Sequence, residues 1–457
     1  MSIYTYGMDD RAPAADAPDQ PTLFVLPAAT VPAPTRTPVD PERGARLRRA
    51  QRAQLSWGRI DIEAMLPEDH PARAIAAIVD RLDLSALYAP IEARDDVAGA
   101  PAIDPKVLLT LWIYATSEGE GSAREVWRLT QVHDAYRWIR GGVAIGYHTI
   151  SDFRSRKPDV IDALISQVLA VLMRQDLIDL HRVAQDGSRV RASAGAASFR
   201  REKTLHALME EARAHLDAVT REAADPAISA RRAAARKRGA ADRLARLEAA
   251  LKQVPEVTAT KQRSGAKDAT VRVSTTDPDA RVMKMGDGGF RPAFNVQFAT
   301  TTDAARVIVG VGVTNRGSDM GETTPMLDQI EKRTGKRPGE ILVDGGYAQH
   351  DAIDQAVQGG TTVYAPVPKP RKGDTRDPHA PREDDSEAVG AWRERMATDE
   401  AKEIYKQRAA TAETVNADAK AHRGLDSMSV RGRDKALGSA CLFALTYNVL
   451  RLITLGG

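Results

Sequence analysis

Cysteine is almost absent. A single thiol, Cys441, in 457 residues excludes a disulfide within the chain, and with nine histidines beside it there is no Cys-rich zinc module. Such a chain suits a reducing compartment, so a cytoplasmic protein is expected. The opening residues, "MSIYTYGMDD", lack the basic start and apolar run of a secretory signal. No apolar stretch approaches the roughly 20 residues that span a bilayer. The longest, "LISQVLAVLM" and "CLFALTYNVL", read as core helix, so no membrane partner is expected. An excess of one charge is missing too. A net charge of +3 neither demands nor excludes a polyanionic partner.

What is present is a globular composition, 42% hydrophobic and 28% charged, with length for two to four domains. Residues 1–40 are rich in Pro, Ala, Thr and Asp without a period and read as a disordered tail. "RGARLRRAQR" (43–52) holds five arginines, either a solvated helix start or a basic arm for phosphate, so 1–57 is set apart as tail and arm. Residues 58–176 read as an all-α unit. Asp104-Pro105 is an N-cap with Pro at the first helical position, and Ser122 with Glu125 fits a capping box. Short helices joined by Gly-containing turns suit a helix-turn-helix, and the polar segment His148–Lys157 carries Arg154, Arg156 and Lys157 as candidate DNA contacts. An ordinary helical bundle with a basic rim fits the same segment.

Residues 177–457 alternate differently. A strand in 180–194 ends its apolar part at Asp186. Two runs of helical period around Asp225-Pro226 suggest a helical-hairpin insertion at 201–255, with arginines crowding the start of the second run. "PAFNVQFATT" and "RVIVGVGVT" suggest a β-hairpin. "GEILVDGGY" is a strand stopping at Asp344, "TTVYAPV" is a further strand, 368–398 reads as an irregular loop, and 399–421 and 432–453 read as helices. The fold class expected is α/β, an RNase H-like mixed sheet with flanking helices, preceded by the all-α DNA-binding unit. In such a sheet Asp186 and Asp344 lie on neighbouring strands. Carboxylates brought together repel, and a divalent cation is the usual remedy; hard oxygen donors without Cys argue for Mg²⁺ or Mn²⁺. Asp-Gly is also a common turn dipeptide, and each aspartate alone fits that reading.

The blocks "VAQDGSRVRASAG", "TTDPDARVMK" with "GGFRPAFNVQFATT", "ILVDGGYAQHDAI" and "YKQRAATAETVNADAKAHRGL", in this order, resemble the DDE transposases of bacterial insertion sequences. Tyr405, Arg408, Glu413 and Lys420 match the Tyr-Arg-Glu-Lys signature carried with the third acid, except that four residues separate Arg408 from Glu413 where many members have three. The resemblance implies Asp186, Asp344 and Glu413 as catalytic acids holding two Mg²⁺ (or Mn²⁺) ions. It implies double-stranded DNA, transposon terminal repeats and target, as partner, with a homo-oligomer forming on it and the protein associated with the nucleoid when bound. Arg408 and Lys420 would bind phosphate and Tyr405 a base or phosphate. Arg189 and Arg191, alternating after Asp186, line the DNA channel or are solvated. On a straight helix Lys420 lies about 20° and Tyr405 about 80° from Glu413, while Arg408 lies about 140° away and is expected to reach elsewhere or to pack. Asp418, Glu403 and Glu400 are competing third acids. A nuclease without strand transfer and a non-catalytic DNA-binding derivative are the alternatives to a transposase.

Overall fold

The computed structural model describes residues 61–91, 101–155, 158–222, 229–263, 271–370 and 375–456. The tail and basic arm, like Arg156 and Lys157, lie outside the described residues.

The first helices start where their caps say. His70 accepts from the Ala72 amide at the head of α1 (Pro71–Val79), and a short α2 (Ser85–Tyr88) follows. Asp104 accepts from the Lys106 amide, with Pro105 opening α3 (Pro105–Ser117). Ser122 caps α4 (Ala123–Val132) through the Glu125 amide, but the box is only half formed. Glu125 turns to Arg128, and the Ser122 amide donates instead to Glu120. The chain breaks after α4, because His133 adopts an extended backbone and caps α5 (Asp134–Arg140). Then come α6 (Tyr147–Arg154) and α7 (Pro158–Arg174).

A mixed sheet follows. β1 (Arg182–Arg191) lies at its centre, antiparallel to β5 (Phe290–Thr301) on one side and parallel to β7 (Glu340–Leu342) on the other. β8 (Thr362–Tyr364) extends the parallel half. The far edge of β5 pairs first with β4 (Arg281–Lys284) and then with β6 (Ile308–Thr314). Between β1 and β4 the chain leaves the sheet. A two-stranded ribbon, β2 (Phe199–Arg200) with β3 (Val273–Ser274), roots a pair of long helices, α8 (Glu202–Glu222) and α9 (Ala230–Arg263). These have their own apolar cluster of Leu205, Ala212, Leu247, Ala250 and Val254. The second helix runs on through Pro255, eight residues past the expected end. α10 (Thr323–Thr334) and α11 (His350–Gln358) complete the crossovers.

Two expectations need correction. Residues 387–397 are not irregular. They form α12 (Glu387–Ala397), capped by Ser386, which buries Trp392 with its indole N–H donating to the Ala365 carbonyl (3.1 Å). Its mixed charges and Gly390 hide the apolar face formed by Val389, Trp392 and Met396. The second correction concerns apolar length. After α13 (Asp399–Arg408), a π-helical turn (Ala409–Glu413) and α14 (Thr414–Ala421), the helix α15 (Arg433–Gly456) has 24 residues and is long and apolar enough to cross a membrane. It is instead mostly buried, packing on α7, α3 and β6, so that one apolar core joins the first seven helices to the sheet. Asn448 is part of that seam, its amide exchanging hydrogen bonds with the backbone of Ile308 (2.9 and 2.8 Å).

Because Trp392 is 1% exposed and ties α12 to the strand end, Trp392→Ala is expected to cost about 3–5 kcal/mol, read as a lower midpoint in urea unfolding.

Candidate functional site

The site grows out of strand register. Ala184 of β1 pairs in parallel with Leu342 of β7. Two residues beyond that pair, Asp186 still lies on β1 and Asp344 stands just past the end of β7, so the chain delivers two carboxylates to the same edge of the sheet. Arg408, from the end of α13, reaches between them, its Nη2 2.9 Å from Asp186 Oδ1 and 4.0 Å from Asp344 Oδ2. Asn416 of α14 donates Nδ2 to the other Asp186 oxygen (3.0 Å). Tyr405, half-buried, hydrogen-bonds Arg408.

Asp186 is largely shielded from solvent, and burial pushes its carboxyl above the ordinary range; Arg408 opposes the rise and the Asp344 charge adds to it. Lys420 is pushed below the usual ammonium range by burial and next by Arg189, with Asp186 and Asp426 pulling the other way. Carboxylates and cations thus face each other within one small region.

The helix from α13 to α14 holds a correction. A straight α-helix would aim Arg408 about 140° from Glu413. The π turn Ala409–Glu413 spans the stretch between Arg408 and Glu413, so the straight-helix angle does not hold there. Arg408 faces the aspartate pair rather than reaching elsewhere. Glu413 closes the π turn with an exposed side chain, one turn before Asn416. Among the described residues, no group of three acidic, histidine or cysteine side chains is drawn together tightly enough to enclose a metal.

The other sequence candidates are placed differently. Arg189 donates to Asp319 (3.0 Å) and to the Gly317 carbonyl (2.8 Å), and Arg191 pairs with Asp426. Neither is simply solvated. Arg154 turns inward, bonding the Gly121 carbonyl and lying 4.7 Å over the Trp112 ring, where burial lowers its guanidinium to about 10. It joins α6 to the bundle, far from a free phosphate-binding geometry.

Five polar residues at the site escape a reading of the sequence. Asp319, 7% exposed, accepts from Asn295 Nδ2 (2.6 Å), Gln297 Nε2 (2.8 Å) and Arg189. The Tyr347 phenol bonds Gln297, and burial raises it far above the usual phenol range. Asn416 is the fifth. Two of these have a sequence signal: the amides of "FNVQF" alternate with apolar residues, so Asn295 and Gln297 share a face of a buried strand. This network also explains the glycine after Asp186. The space beside Gly187 is not left open for a ligand; a Cβ there would sit 2.3 Å from Gln297 Nε2 and 2.4 Å from Asp319 Oδ1.

Two family models match the chain, a transposase domain (DUF772) over residues 60–156 and a transposase DDE domain over residues 259–449, together more than half of its length. The second takes in Asp344 and Glu413; Asp186 lies outside both. The family of the second generally uses divalent metal ions. No curated protein and no solved structure matches.

Gly187→Ala is therefore expected to displace Gln297 and Asp319 and to destabilise the protein by about 1–3 kcal/mol, measured by urea denaturation, although the substituted side chain is the smallest available.

Proposed function

The chain belongs to the DDE transposases of bacterial insertion sequences, and from that premise we propose that it cuts the phosphodiesters at its element's ends and joins the freed 3′ ends to target DNA. The observation that carries this reading is the register that sets Asp186 beside Asp344 with one cation, Arg408, between them. The sheet supports it. With β1, β5, β6, β7 and β8 counted as first to fifth, their order across the sheet is 3-2-1-4-5, the first three antiparallel and the last two parallel to the first, the arrangement expected of an RNase H-like domain.

The donors fit a hard cation. Both are carboxylates, both turn an oxygen toward the Arg408 nitrogen, and that nitrogen stands where a positive charge is required. Asp186 and Asp344 would hold Mg²⁺ or Mn²⁺, with Glu413 completing the set, two ions in all. Bound there, the metal supplies Lewis-acid activation of the attacking oxygen and charge relief for the leaving 3′ oxygen.

The chain's own residues do the rest. Asn416 fixes the Asp186 carboxylate in one orientation through its amide. Arg408, displaced from the aspartates, has a phosphate oxygen as its natural new partner, and Tyr405 steadies its guanidinium. Lys420 and Arg189 together offer a second pair of charges to the DNA backbone, with Asp319 holding Arg189 in place. In-line attack on phosphorus needs no covalent protein–DNA bond, so no Ser or Tyr nucleophile is called for. Two element ends must be held at once, and a homo-oligomer assembled on DNA meets that need.

Asp186→Asn removes a charge that burial already disfavours. The variant is expected to melt at a higher temperature than wild type near neutral pH, to bind labelled element ends, and to lose Mg²⁺-dependent cutting of them. The sign follows from the raised carboxyl of Asp186: its ionised form is less favourable folded than unfolded, so stability declines as pH climbs through its folded value. Persistent cutting by the variant would remove Asp186 from the site. In the wild type, cutting without joined products would leave a nuclease alone.

A further inference from the structure

The α8–α9 hairpin carries an electrical arrangement that its own stability opposes. Seven cationic side chains lie between Arg231 and Arg246, against the single acid Asp242. Two of the seven are matched by α8, Arg236 with Glu222 (2.7 Å) and Arg243 with Glu211 (3.9 Å). Arg231, Arg232, Lys237 and Arg238 are exposed and make no ion pair among the described residues. Arg231 and Arg232 stand in the first turn of α9, which has no acid. Positive charge there opposes the helix dipole, at a cost of about 0.3–1 kcal/mol each, and Arg232 faces Arg236 as a like-charge pair one turn apart.

Packing does not require them. The buried stripe of α9 near this end is Ala233, Ala240 and Leu247, spaced by seven, and Arg231 and Arg238, also seven apart, lie roughly opposite it. The cations cluster at the loop end of the hairpin, away from its root at the β2–β3 ribbon. That root follows the strand of Asp186 by few residues. An arm with its own apolar core holds its charged end in a fixed relation to its root.

We propose that this exposed cationic face is a second contact for the backbone of duplex DNA, separate from the carboxylate site and gripping flanking DNA during the reaction. The inference rests on the transposase reading for its partner. Charge selects that partner: a cluster of exposed guanidinium and ammonium groups with few apolar neighbours suits the phosphates of a duplex and not a dry protein interface. The reach is set by α8, whose 21 residues extend about 31 Å, the length of about nine base pairs.

The test uses the full chain with Arg231, Arg232, Lys237 and Arg238 all changed to Ala, substitutions that favour the helix. A far-ultraviolet spectrum like that of wild type and a melting temperature no lower than it establish folding. Binding to a duplex carrying the element end plus a long flank is measured across salt concentrations. The expected result is a flatter dependence of log K on log salt, its slope reduced by about 2 to 3.6 because each lost phosphate contact removes up to 0.9. Affinity for flanks of any sequence falls alike, while the single-turnover cutting rate at saturating DNA stays within about twofold of wild type. Changing the three arginines to Lys instead retains the wild-type slope. Shortening the flank to fewer than about nine base pairs removes the difference between wild type and the Ala variant. An unchanged slope overturns the proposal, and a change in oligomeric state with an unchanged slope gives the face to a second copy of the chain instead. Wild-type protein that binds DNA and cuts it, with a variant of equal slope, defeats this inference alone; wild-type protein that binds no DNA defeats the transposase reading as well.

Discussion

Two like charges held on adjacent strands repel, and the arrangement of the sheet domain answers that repulsion. Parallel pairing of β1 with β7 stops two residues short of Asp186 and Asp344 and delivers both to one edge of the sheet. Relief comes from elsewhere in the chain: the guanidinium of Arg408, from a helix more than two hundred residues beyond Asp186, and the Asn416 amide. A third carboxylate, Asp319, sits close by but is taken up by two amides and Arg189, so it adds its charge to a network already satisfied. The same geometry that is costly for the bare protein is the one that a hard cation would favour, a trade of stability for function that burial of Asp186 makes explicit.

The order of elements was legible because periodicity and caps speak locally. Asp104-Pro105, the alternating run of β5 and the Asp-Gly strand ends each announce themselves within a few residues. Asp186 and Asp344 could be paired from sequence because strand order follows from element order. What stayed hidden depends on partners distant in the chain. Asp319 follows a turn with the look of any polar loop, and only Arg189, Asn295 and Gln297 give it a purpose. Gly187 reads as half of a common turn dipeptide, yet it lies within β1 and the space beside it is filled by Gln297 and Asp319. The α12 helix escaped because its charged residues outnumber the few apolar ones that face the core. Arg154 looked like a surface cation and proved to be a strut over Trp112.

The helices before the sheet and the sheet itself share one apolar core, centred on α15, while α8 and α9 carry another. This division is physically sensible. Residues that must hold a reactive geometry belong to a body braced from several sides, as by Asn448 across α15 and β6. An arm that needs only to present charge can be stiff along its length and still be joined at a narrow root.

The π turn between Arg408 and Glu413 has a consequence for kinship. A helix that takes up one residue as a local bulge can accept an insertion between two side chains without breaking. Counts along the chain would then drift while the helix keeps its course. A search pattern with rigid gaps would pass over such descendants, and one that allows a single extra position inside this helix would gather them in.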